Sequence, residues 1–212
     1  MTLPSLEISG GDDWFRAVPP SAVPVPAAML SDLHRQRAIA AFDGVGLLHD
    51  LRILGDAHHE AHGTSVDVVP ELDYWRTRFS PATPVAARRL PIDQVWVEHR
   101  LDYQRPAEPG QEPPSSAGAP AALLRRIAPG PSQPGARTPV PARTVGHLHG
   151  RRVIQSTPTG WAWDLRAVSE PYQNEEGEIT LNATSANDYY RWIITGTLPE
   201  AIPLPLYLLW TE

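Results

Sequence analysis

The sequence predicts an α+β protein: an antiparallel sheet with two or three packed helices and a long proline-rich insertion. Three observations lead there. Short stretches of period-two alternation recur along the chain, two segments carry helix start and stop signals, and residues 104–143 hold ten prolines and four glycines. Of the 212 residues, 42 % are hydrophobic and 20 % charged, with seven Trp and six Tyr, so a packed core is expected rather than global disorder.

Residues 1–26 read as a Pro- and Gly-rich arm that docks through the Trp14–Phe15 pair. A helix is expected over Pro26–Phe42, because Pro26 suits a first turn and Gly44 a position just past the end. Leu47–Leu54 and Ser65–Val69 read as strands, and Glu71–Phe79 as a helical turn after Pro70. Ile92–Tyr103 alternates, with Val95, Val97, His99 and Leu101 on one side and Trp96, Glu98 and Arg100 on the other.

The proline-rich stretch that follows cannot bury enough apolar area to offset its ordering entropy, so residues 104–143 are expected to form a flexible insertion or linker. Thr144–Ser156 and Trp161–Val168 then pair as a hairpin across Thr157–Gly160, whose Pro158 and Gly160 suit a tight turn. Glu178–Ala183 is a further strand. Ser185 starts a helix, with Asp188 in the position of a capping-box acid, and Gly196 and Pro199 stop it. Ile202–Trp210 reads as an edge strand or docking segment, since Pro203 and Pro205 cannot donate to a ladder. In domain terms, residues 1–103 and 144–212 are two parts of one domain interrupted by the insertion, or alternatively two lobes tied by it. One internal echo stands out: Asp73, Tyr74, Trp75 and Arg76 resemble Asp188, Tyr189, Tyr190 and Arg191. Four residues are too short a match to establish a repeat, and chance is the better explanation of them.

Composition narrows function. The chain contains no Cys, which excludes disulfides, thiolate metal sites and cysteine nucleophiles. It contains no Lys, which excludes a P-loop or Schiff-base lysine; an Arg-, Ala- and Pro-rich composition of this kind fits a GC-rich bacterial or phage genome. No apolar run is long enough to span a membrane as a helix, and no signal peptide is evident, so a cytoplasmic location is expected. The net charge of −6 is unevenly spread: residues 1–75 carry −7, residues 76–152 +7 and residues 153–212 −6. The basic block includes the pairs Arg88–Arg89, Arg125–Arg126 and Arg151–Arg152, candidates for contact with nucleic acid or another anionic partner.

Histidine supplies the other candidate chemistry. His58 and His62 would share one face of a helix, and His147 and His149 one face of a strand, as metal ligands do. The zinc-protease pattern is one residue short between His59 and His62, and neither a dinucleotide fingerprint nor a nucleophile elbow occurs.

The leading expectation is a non-catalytic binding or assembly subunit of a larger complex, without cofactor, docking on other protein subunits through its Pro-rich segments and through Leu204, Leu206, Leu208 and Trp210. The alternatives are a nucleic-acid-contacting subunit that uses the Arg block, and a His-dependent metal hydrolase with a divalent ion such as zinc.

Overall fold

Antiparallel strands dominate the computed structural model, which describes residues 13–42, 44–100 and 133–212. Strands make up 44 % of it, in two sheets of seven, and two α-helices occur among the described residues. The expected α+β architecture is therefore corrected to a mostly β one. The chain divides into two compact units: residues 20–138 with 193–196, and residues 139–192 and 197–212 with the segment ending at Pro19. No helix among the described residues is long and apolar enough to cross a membrane.

The N-terminal unit contains β1 (Ala22–Pro26), β2 (Arg37–Phe42), β3 (Gly46–Ile53), β4 (His58–Glu60), β5 (Gly63–Pro70), helix α1 (Glu71–Phe79), β6 (Arg88–Pro91) and β7 (Val95–Arg100). Its ladder runs β1-β7-β2-β3-β5, and Val68 of β5 pairs with Ile53 of β3 on one side and Arg88 of β6 on the other. β6 thus lies far along the ladder from β7. Yet one 3-10 turn, Ile92–Gln94, joins them. Three residues at this rise span about 6 Å, so the sheet must curl until its two ends approach. Ala27, Leu33, Ala38, Ile53, Val66 and Val95 fill the interior of the curl.

The C-terminal unit repeats this plan: β8 (Val140–Pro141), β9 (Arg152–Thr157), β10 (Gly160–Ala167), β11 (Tyr172–Gln173), β12 (Ile179–Ser185), α2 (Ala186–Thr195), β13 (Ile202–Pro205) and β14 (Leu209–Thr211). Its ladder is β8-β14-β9-β10-β12, Ala183 pairs with both Ala167 and Ile202, and the turn Leu206–Leu208 joins β13 to β14. A shift of 114 or 115 residues carries one set of registers onto the other. Ala38↔Leu51 corresponds to Val153↔Leu165, Ile39↔Trp96 to Ile154↔Trp210, and Ser65↔Pro91 to Thr180↔Pro205. Even the irregularities correspond. Asp50 and Asp164 both break their hairpin register in the left-handed conformation, at φ 59° and 60°.

Sequence identity follows the same alignment. Pro24–Ala27 recur as Pro139–Ala142; Leu33, His34 and Arg37 as Leu148, His149 and Arg152; Asp50, Leu51 and Arg52 as Asp164, Leu165 and Arg166; Leu90, Pro91, Trp96 and Glu98 as Leu204, Pro205, Trp210 and Glu212. The four-residue echo falls on equivalent turns of α1 and α2. The chain is a tandem duplication of one β-unit. The recurring prolines explain themselves physically. Pro26, Pro91, Pro141 and Pro205 each sit at φ −52° to −58° and ψ 127° to 137°, ending a strand and opening a 3-10 turn.

Several expectations are corrected here. The helix over Pro26–Phe42 is instead the end of β1, a 3-10 turn at Ala27–Met29 and β2. β2 lies between β7 and β3, and Ala38, Ile39 and Ala40 are all buried, so no period-two signal reaches the sequence. The strand expected from Ile92 starts at Val95, and that expected from Thr144 starts at Arg152. The tail is two strands, with β14 held between β9 and β8 rather than at an edge. Residues 101–132, which include 104–132 of the expected insertion, lie outside the described residues. Residues 133–143 are folded, with Arg137 bridged to Ala22 by two backbone hydrogen bonds of 2.9 Å. At α2 Ser185 caps the helix as expected, its Oγ accepting from the Asp188 N–H at 3.0 Å, while the Asp188 carboxylate accepts from that same Oγ at 2.7 Å rather than from the Ser185 backbone N–H of a full capping box.

Candidate functional site

What both copies keep is chiefly an arginine clamp. Arg52 Nη1 donates to the Arg35 carbonyl at 2.9 Å, and its Nη2 to Glu71 Oε1 at 2.7 Å, with its guanidinium carbon 5.6 Å from the Tyr74 ring centre. Arg166 makes the matching contacts: Nη1 to the Gly150 carbonyl at 3.0 Å, Nη2 to Tyr190 Oη at 2.7 Å, and the ring of Tyr189 at 5.8 Å. Each clamp ties the turn before a central strand to the following helix. Its donors are used on backbone and neighbours, so it is a scaffold feature.

Titratable groups cluster where the copies differ. His58 Nε2 lies 2.9 Å from Asp67 Oδ2, and Arg89 Nε donates to Asp67 Oδ1 at 3.0 Å and Nη1 to Glu60 at 3.3 Å. The Arg89 hydrogen bond, outweighing burial and helped by His58, holds the Asp67 carboxyl below the usual carboxylate range. In the other copy Tyr172 replaces His58 and Asn182 replaces Asp67, and the contact survives as Tyr172 Oη to Asn182 Oδ1 at 2.8 Å. A depressed folded-state pKa stabilises the fold above the unfolded value of about 3.9, and the contribution disappears as pH falls through the folded value. Asp67→Asn, the sister copy's residue, is therefore expected to flatten the acid limb of a thermal-midpoint profile recorded from pH 7 to 2. An unchanged acid limb would show that the network contributes nothing. In the C-terminal unit the Leu148 N–H, at 3.0 Å, lowers the Glu170 carboxyl in the same direction.

The sequence-predicted residues are dispersed. Arg88 lies over the Phe42 ring at 5.1 Å, Arg89 is committed to Asp67 and Glu60, Arg151 is exposed and Arg152 is buried on β9. Arg125 and Arg126 lie outside the described residues. His58 sits on β4 and His62 in the turn after it, not on a helix; His147 and His149 flank the buried Leu148 in a loop, not on a strand. His147 faces Glu170 at 3.7 Å and His149 meets Trp192 edge-on. Among the described residues no group of three His, Asp or Glu side chains is placed to hold a metal ion. Leu204 and Leu208 are buried in the unit's own interior, Leu206 is half-buried, and Trp210 Nε1 donates to Ser156 Oγ at 3.2 Å. Their apolar character serves the fold.

Two surface features remain. On the adjoining strands β11, β12 and β13, Tyr172, Ile179 and Ile202 are 39 %, 46 % and 49 % exposed. The equivalent residues of the N-terminal copy are His58, Thr64 and Arg88. The second feature is a cleft of about 420 Å³ in the C-terminal unit, lined among the described residues by Phe15, Arg16, Arg143, Leu206, Tyr207 and Trp210 with others, none of these acidic. Spacing gives no signal for Arg143 or Tyr207. They stand out only when the halves are aligned, because Ala28 and Asp93 occupy their positions in the other copy. No protein-family model, curated protein or solved structure matches the chain.

Proposed function

We propose that this chain is a non-catalytic binding subunit that docks in a larger assembly through exposed apolar side chains on β11, β12 and β13 of its C-terminal copy. The observation that supports this reading is the pairing of Tyr172, Ile179 and Ile202 with His58, Thr64 and Arg88. One scaffold presents these positions twice. One copy keeps them polar, as water contact favours, and the other exposes apolar side chains there. Exposed apolar groups on neighbouring strands mark interaction surfaces; the register puts Ile179 and Ile202 on one side of the sheet and Tyr172 on the other, and the sister copy shows that the fold does not require any of the three.

The same comparison supplies the test. The triple variant Tyr172→His, Ile179→Thr and Ile202→Arg installs side chains that this scaffold already carries. Its thermal midpoint should stay within about 4 °C of the wild type. In extracts of the source cells, the wild type should migrate in a larger complex on size exclusion and the variant as the free chain. Identical migration of the two, as free chain or in the same complex, would overturn the proposal.

A further inference from the structure

We infer that the open end of the curled sheet in the N-terminal unit is a binding site for a small hydrophobic amine, an ammonium group carried on a short alkyl or aryl body. This goes beyond the docking role and lies in the other copy. The site is a cavity of about 370 Å³. Its floor is apolar: Leu33 belongs to the core, and Leu30, Ala57 and Ile92 are half-buried against it. Its rim carries Ser31, Asp56, His59 and Thr64. The register explains why it sits there. His59 pairs with Thr64, and Thr64 precedes the buried Val66 and Val68 on the same strand, so both side chains continue the inward side of the sheet past the end of the core. His58, Asp67 and Arg89 fall on the other side. A cavity at the mouth of a curled sheet, apolar below and with a few polar groups at one end, is a common form of small-molecule site.

Charge selects the ligand. The described lining includes one carboxylate, Asp56, and no Arg. Asp56 is exposed and makes no hydrogen bond or ion pair among the described residues. An ammonium brings three donors and no acceptor, which suits the Asp56 carboxylate and the Ser31 hydroxyl, while an apolar body covers Leu30, Leu33 and Ile92. The sister copy is the internal control. It keeps the floor as Val145, Leu148 and Leu206. At the rim, Gln173 and Ile179 pair where His59 and Thr64 pair, and Gln173 Nε2 is given to the Gly177 carbonyl at 3.0 Å. Gly146 stands for Ser31, and Glu170, the counterpart of Asp56, accepts the Leu148 N–H at 3.0 Å. The floor belongs to the scaffold, while the uncommitted carboxylate and the hydroxyls belong to this copy alone.

The test is titration of the full chain with phenylethylamine, followed by amide nitrogen–proton correlation spectra. Phenylethanol, phenylpropionate and ethylamine serve as the neutral, anionic and body-less controls. Phenylethylamine should bind with a dissociation constant of about 0.1–5 mM and shift the amides of Ser31, Asp56, His59, Thr64 and Ile92. Phenylethanol and phenylpropionate should bind at least about threefold more weakly, as an exposed carboxylate allows. Ethylamine should bind at least about tenfold more weakly, for want of a body to bury. Added salt should weaken the amine and leave the alcohol unchanged. Asp56→Asn should erase the preference for amine over alcohol. Thr64→Ile, the sister copy's residue, should weaken both by about threefold or more, with the thermal midpoint within about 4 °C of the wild type for each variant. Absence of binding by phenylethylamine and by hexylamine up to about 10 mM would overturn the inference. So would shifts confined to other amides, equal binding of phenylpropionate, or a preference for the amine that survives Asp56→Asn. The docking variants lie in the other copy and leave this cavity intact, so either proposal can fail alone.

Discussion

A chain ended after Ala201 is expected to lose the folded C-terminal unit, not merely a docking segment. The eleven residues removed supply β13 and β14. β13 pairs with β12 from Thr180 to Ala183, and β14 lies between β9 and β8. Leu204 and Leu209 pack with Leu148, Val153 and Leu181, and Thr211 Oγ1 donates to the buried Arg152 carbonyl at 2.8 Å. Truncating one such leucine to alanine costs about 2–5 kcal/mol, against a total stability of roughly 5–15 kcal/mol for a domain. Removing two leucines, a buried hydroxyl and the ladder partners of two strands exceeds that margin. Hydrogen exchange should show the amides of β9, β10 and β12 unprotected in the truncated chain and protected in the full one. Retained protection would mean that β14 is not part of the sheet.

This result also shows why the C-terminus was hard to read. Leu204, Leu206, Leu208 and Trp210 form an apolar run with prolines in it, and a run of that kind suits a docking strand as well as a core strand. What distinguishes them is the partner strand, which for β13 lies in β12, 23 residues back at Leu204, and for β14 lies about fifty-six residues back in β9 and about seventy back in β8. Where signals are local, the sequence is a better guide. The Trp161–Val168 strand, the turn before it, the strand ending near Ala183 and the Ser185 cap all rest on contacts within a few residues, and the structure forms β10, β12 and α2 there. At Pro26–Phe42 local signals mislead, because a proline that opens a 3-10 turn looks like one that opens an α-helix.

The duplication was present in the sequence in outline. Asp73–Arg76 and Asp188–Arg191 are its visible fragment, and the exact matches, Pro24–Ala27 with Pro139–Ala142 and Asp50–Arg52 with Asp164–Arg166, lie at displacements of 115 and 114 residues. Between them core positions have exchanged one apolar residue for another, such as Ala38 for Val153 and Val66 for Leu181, which preserves the interior and erases the identity. The candidate cleft is less legible still. Arg143 and Tyr207 are ordinary residues in proline-rich surroundings, and only comparison with Ala28 and Asp93 makes them informative. The duplication therefore does more for function than any single motif: it separates what the scaffold needs from what one copy has added.

Glu98 tests the first of those categories, and its replacement by Gln is expected to destabilise the N-terminal unit by about 3–5 kcal/mol. The carboxylate is almost fully enclosed, at 3 % exposure, with Arg37 Nη2 at 3.0 Å and Arg137 Nε at 3.3 Å. Arg37 is itself mostly buried, whereas Arg137 reaches the rim and also meets Asp50 at 3.3 Å. Glutamine keeps the shape and removes the charge, taking the carboxylate away from two guanidinium groups, one of them mostly buried. A buried charge stripped of its partner costs far more than the pair contributes. Arg137→Gln should cost much less, on the order of 1 kcal/mol, because Arg37 still holds the carboxylate and the lost group is near water. The sister copy keeps Arg152 and Glu212 at the equivalent positions. Urea unfolding should show the midpoint falling steeply for Glu98→Gln and slightly for Arg137→Gln, with unchanged slopes. Equal, small losses in both would show that water, not Arg37, neutralises Glu98, and would remove the pair from the interactions that define the unit.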